Sequence, residues 1–211
     1  MDRAGALVVL NRKILEAYSR RTIHTLRGAL PLRLALPHLE PLLARNVAKE
    51  VRKDALVIRR AGEAAAAGSP PGREALHRLL DATKEIDRAF LAQAGRLPIG
   101  IVISYEEIAP VRMERIEGLL GAAYRILTAW RAGAGLRAAL RATYPQPDLD
   151  RLLHEMLRLY AIETRALSRS VRLPALLAPV RERIAQSLFT IMNDVATRLA
   201  VELARTVYRS D

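Results

Sequence analysis

Apolar residues in this chain recur at steps of three and four over long stretches, and that period admits one kind of element, the amphipathic α-helix. Between 148 and 172 the step is kept by Leu149, Leu153, Met156, Tyr160, Leu167 and Val171. From Val180 onward it is kept by Ile184, Leu188, Ile191, Val195, Leu199 and Leu203. Each seam needs another helix to pack against, so the expected fold is an all-α, multi-helix bundle. Glu163 occupies the one position of the first seam where an apolar residue is due. A carboxylate on a buried seam is costly unless it is paired. An arginine from a neighbouring helix or subunit should therefore meet it, with Arg112 and Arg115 as the candidates.

Prolines and glycines cut this pattern into six or seven helices. The expected spans are 5–29, 39–67, 73–95, about 104–132, 136–143 and 148–172, with a last helix beyond Pro179 that reaches about 209. Residues 31–41 contain three prolines and read as a turn or an irregular helix. Ser104 and Glu107 have capping-box spacing, and Asp148 stands where an N-cap is expected. Leu97–Ile103 is the exception. Its β-branched residues, with Pro98 and Gly100, predict a short extended segment. Gly68-Ser69-Pro70-Pro71-Gly72 is the clearest linker. It separates an N-terminal helical pair, 1–67, from a main bundle, 73–211, unless the pair joins the same domain.

Composition supports the helical reading and removes several classes of chemistry. Aromatic residues are only 4% of the 211, so the core must be aliphatic. The absence of cysteine excludes disulfides and thiolate metal sites. No apolar run approaches the roughly 20 residues of a membrane span. Arg12 and Lys13 interrupt the apolar start too early for a signal peptide. The expectation is a cytoplasmic protein without a transmembrane segment. The four histidines, His24, His38, His77 and His154, lie on separate segments with no zinc-like spacing. Glu74-x-x-His77 occurs once, whereas a di-iron bundle needs two such motifs. No glycine-rich phosphate loop is present. No catalytic residue, metal or cofactor is expected.

Charge carries the functional expectation. The formal net charge is +12, and lysine occurs only at Lys13, Lys49, Lys53 and Lys84, leaving 30 of the 34 basic residues as arginine. At 100° per residue, Arg151, Arg158, Arg165, Arg169 and Arg172 fall on one stripe opposite their helix's apolar seam. Arg45, Lys49, Arg52 and Arg59 share a face of the second helix, with Glu50 and Asp54 round the other side. Lys13, Arg20 and Arg27 line the first helix. By contrast, helix 73–95 mixes signs, and in the last helix Asp194 and Glu202 interleave with Arg198, Arg205 and Arg209, as on a salt-bridged solvent face. Single-sign stripes suit the tracking of a phosphate backbone. The expected function is a non-enzymatic subunit binding nucleic acid, RNA or DNA, or another polyanion. That binding would be largely independent of sequence, within a larger assembly or homo-oligomer, and the 151–172 arginines would be the main contact. The alternative is a protein-interaction or adaptor bundle with an acidic protein partner.

Overall fold

A computed structural model describes residues 2–29, 32–94, 103–130 and 135–209. Seven α-helices account for most of them: α1 (Arg3–Gly28), α2 (Leu36–Ala67), α3 (Arg73–Ala94), α4 (Tyr105–Ala129), α5 (Gly135–Thr143), α6 (Gln146–Ser170) and α7 (Arg181–Tyr208). The chain is an all-α multi-helix bundle. Of the expected extended segment at 97–103, all but Ile103 lies outside the described residues.

The local stops are those the sequence chemistry dictates. Asp2 caps α1 by accepting the Gly5 N–H at 2.6 Å. Gly68 ends α2 in the left-handed region, at φ 67°, where only glycine is comfortable. Two helix starts and one cap differ from expectation. α2 begins at Leu36 and runs through Pro41, because a proline near the start of a helix forfeits few hydrogen bonds. α6 begins at Gln146 behind Pro145. Asp148 therefore sits in the first turn rather than at the cap, where it still favours the positive end of the helix dipole. Ser104 is the N-cap of α4, but its side chain makes no capping bond.

Five long helices close into a ring in which each touches the next in the order α1, α2, α4, α6, α7 and back to α1. Outside the ring, α3 lies against α2 and α4, and α5 braces α4 and α7. The first two helices run antiparallel. Their register is marked by Asn11 bonding Asp54, by Arg27 pairing with Glu40, and by Gly62, where a Cβ would come within 2.9 Å of the Ala4 Cβ. Both helices share their apolar cores with the rest of the bundle. Leu15, Tyr18 and Leu39 pack with Leu157, Leu188 and Met192 in one cluster, and Leu7 and Val57 pack with Leu79, Ile116 and Leu120 in another. Tyr18 is fully buried, donates to the Met192 carbonyl at 3.0 Å, and meets Tyr160 edge to face with centroids 5.6 Å apart.

Candidate functional site: a buried charge cluster and the basic faces around it

The centre of the bundle holds eight buried ionisable side chains: Lys49, Glu50, Lys53 and Asp54 from α2, Asp87 from α3, Arg112 and Arg115 from α4, and Glu163 from α6. Each occupies a seam position of its helix, where three- and four-residue spacing turns it inward alongside residues such as Leu43, Val57, Phe90, Ile116 and Tyr160. Four are cations and four are anions, so their formal charges cancel.

Arg115 is the hub. Its guanidinium donates to Glu50 at 2.6 Å, to Glu163 at 2.9 Å and to both oxygens of Asp54 at 2.8 and 2.9 Å. It also lies over the Tyr160 ring at 5.2 Å. Asp87 is fully buried between Arg112 at 2.6 Å, Lys53 at 2.7 Å and Lys49 at 3.3 Å. Lys53 also reaches Glu50 at 3.1 Å. Asn11 of α1 completes the rim by donating to Asp54 at 2.7 Å. Glu163 thus meets both expected arginines, Arg115 closely and Arg112 at 3.5 Å. The longer distance is a weak hydrogen bond at best. Arg112 Nε, Glu163 Oε1 and Asn46 Oδ1 have no hydrogen-bond partner among the described residues, and their side chains border a void of about 10 Å³, room for one water.

The geometry shifts the titration of four of these groups. Burial alone would push the Glu50 carboxyl up, but Lys53, Lys49, Arg115 and Arg112 hold it well below the usual range. Asp54 is different: burial raises it, and Arg115 offsets only part of that rise. Burial lowers the Lys49 ammonium despite Glu50 and Asp87. Burial would lower the Arg115 guanidinium, but Asp54, Glu163 and Glu50 hold it well above its ordinary value. The space between the carboxylates is filled by the protein's own cations, and no group of three or more His, Asp or Glu among the described residues could hold a metal ion.

No family model, curated protein or solved structure matches the chain.

The residues expected to form basic stripes separate into two groups. Lys49 leaves the stripe. It is buried because α3 lies across that edge of α2, seating its ammonium 4.8 Å from the Phe90 ring centroid and 3.3 Å from both Glu50 and Asp87. Most of the α6 stripe is already engaged. Arg151 pairs with Asp148 and Arg158 with Glu155, both three residues away. Arg165 and Arg169 converge on Glu182 of α7, and Arg165 also stacks on Phe189. Of that stripe, Arg172 is exposed without a carboxylate partner among the described residues. Arg27 pairs with Glu40. Lys13, Arg20, Arg45, Arg52 and Arg59 are exposed, and no carboxylate among the described residues meets them.

Two features escaped the sequence reading. Glu202 does not neutralise its own helix. It takes both guanidinium nitrogens of Arg21 on α1, at 2.7 and 2.9 Å. As a result Arg198 faces Arg20, Arg21 and His24 across an open α1–α7 groove of about 340 Å³, with Asp194 as its one acid. The charge cluster itself was visible only at Glu163 and its two arginines. The signal for the rest was present, because Glu50, Asp54 and Asp87 continue apolar three-and-four patterns as Glu163 does.

Proposed function

We propose that this protein is a non-enzymatic, basic helical subunit that holds the phosphate backbone of nucleic acid within a larger assembly. The observation that carries the reading is the set of exposed cations without carboxylate partners on the antiparallel pair α1 and α2: Lys13, Arg20, Arg45, Arg52 and Arg59. The buried cluster is formally neutral, so the whole net charge of +12 belongs to the rest of the chain. Unpartnered cations gain most from phosphates, because neutralisation releases condensed counterions without first breaking an ion pair. The α6 arginines become secondary contacts, since Asp148, Glu155 and Glu182 compete for them. Tyr18 and Tyr160 are buried and unavailable for base stacking, which favours backbone contact over base readout. A gel-shift titration across salt tests the reading. Binding should weaken steeply with salt and be much weaker, with a shallower salt dependence, when Arg45, Arg52 and Arg59 become Glu. No binding at low salt rejects it.

A second reading, a protein-interaction module, rests on one observation of its own. Leu34 and Leu176 are 69% and 83% exposed. They lie on the α1–α2 and α6–α7 connections, whose Leu32, Ala35 and Leu177 belong to one buried cluster, and Arg33, Arg172 and Arg181 are close to them in sequence. Apolar tips among arginines suit an acidic protein partner with an apolar centre. Light scattering on the purified protein before and after nuclease treatment separates the two. A mass that falls with nuclease supports the first reading, and a nuclease-resistant complex supports the second.

A further inference from the structure

The interior of the five-helix ring is not filled along its whole length. Beside the charge cluster, a cavity of about 90 Å³ lies among α1, α2, α4, α5 and α6. Its walls are aliphatic, with Ile14, Ile126 and Leu153 typical of them, and polar groups enter only where Asn11, Asp54 and Arg115 meet at one end. A single water needs roughly 10–15 Å³ of such space, and a water held in place needs polar partners. This cavity has the room but not the partners. An enclosed apolar cavity of about 150 Å³ stays dry and takes up benzene or xenon; this one is smaller and opens outward past the half-buried Leu10, Ile14, Leu152, Leu153 and Met156, which gives a small apolar molecule a way in.

The polar end restricts the occupant further. Arg115 is already committed to three carboxylates, and Asp54 already accepts from Arg115 and Asn11. The cluster behind them is formally neutral. An ionic ligand would lose its hydration and find no unmatched counter-charge. The wall is also adaptable. The half-buried thioether of Met156 lies against Gly118, where an added Cβ would stand 2.6 Å from the Met156 methyl group. Glycine leaves room for the most flexible apolar side chain in the wall.

We propose that this cavity is a binding site for a small, uncharged, apolar molecule, of the class of a single aromatic ring or a short alkyl chain. The site is separate from the surface cations and stands whether or not the protein binds nucleic acid. The test uses benzene as probe and benzoate as its charged counterpart, read by thermal unfolding of the full chain. Benzene should raise Tm by a few degrees, benzoate should not, and Ala123→Leu, which extends a lining side chain into the cavity, should abolish the benzene response. A crystal of the unaltered protein under xenon pressure gives an independent reading that needs no variant, with a single peak against Ile126 and Met156 expected. An absent Tm response near benzene saturation together with no xenon peak would overturn the site. So would an equal response to benzoate, or a benzene response that survives in a folded Ala123→Leu protein.

Discussion

Replacing Arg115 by Met keeps much of the hydrophobic stem and removes the one charge that three carboxylates share. Arg115 makes four hydrogen bonds of 2.6–2.9 Å to Glu50, Glu163 and Asp54. Without it the cluster keeps three cations for four anions, and Asp54 retains only Asn11. Removing one partner of a buried ion pair costs about 3–5 kcal/mol, because the remaining charge is left in a medium that cannot solvate it. Four charge-assisted bonds to three acids argue for no less than the middle of that range, about 4 kcal/mol. Urea unfolding at pH 7 reads this directly. With a slope of about 2 kcal/mol per molar urea, the midpoint should fall by about 2 M with the slope unchanged. The double variant Arg115→Met/Glu163→Gln restores charge balance and should recover about 1–2 kcal/mol of the loss, a coupling expected only between residues that touch. A midpoint shift below about 0.5 M, or full additivity in the double variant, would refute the picture of a mutually dependent cluster.

Other consequences follow from the same geometry. Glu50 is held below its ordinary value, so the stability it contributes is present above about pH 4.5 and lost as pH falls through its lowered folded value. Glu50→Gln should therefore be destabilised at pH 7, and the gap to the unaltered protein should close in acid. Asp54 is raised, so its ionisation opposes folding at neutral pH; Asp54→Asn should cost less than Glu50→Gln, with no deficit that closes in acid, when both are unfolded in urea across pH 3–7. Gly62→Val should lower stability by about 1–3 kcal/mol, as overpacking does, because the Ala4 Cβ already stands within 2.9 Å of an added Cβ; an unchanged thermal midpoint would show that α1 and α2 separate freely. Reversing Arg158, Arg165 and Arg169 to Glu should reduce nucleic-acid affinity less than reversing Arg45, Arg52 and Arg59, as compared by gel shift at one salt concentration.

The fold was legible because helix periodicity and proline–glycine punctuation are local signals. The seams at 149–171 and 180–203 needed no knowledge of their partners. The site was legible only in part. Glu163 broke an apolar seam and called for an arginine, and Arg112 and Arg115 both answer it. Glu50, Asp54 and Asp87 break their seams in the same way, but charges on both sides of α2 masked the first two and the mixed signs along α3 masked Asp87. Lys49 shows the limit most clearly. On a wheel it belongs with Arg45 and Arg52, and nothing in α2 reports that α3 covers that edge. Pairing between helices is equally invisible, as with Glu182 drawing Arg165 and Arg169 and Glu202 drawing Arg21. A helical wheel ranks residues by direction, and only tertiary packing says which directions reach water.

The central functional claim rests on exposed cations that no carboxylate neutralises. Its most direct measurement is the slope of log K against log salt for binding to duplex DNA. Each phosphate contact contributes about −0.9 to that slope. A slope near −3 or steeper is expected, reduced in magnitude by roughly 2–3 in the Arg45→Glu/Arg52→Glu/Arg59→Glu protein. A slope near zero, or one that the triple reversal leaves unchanged, would contradict it.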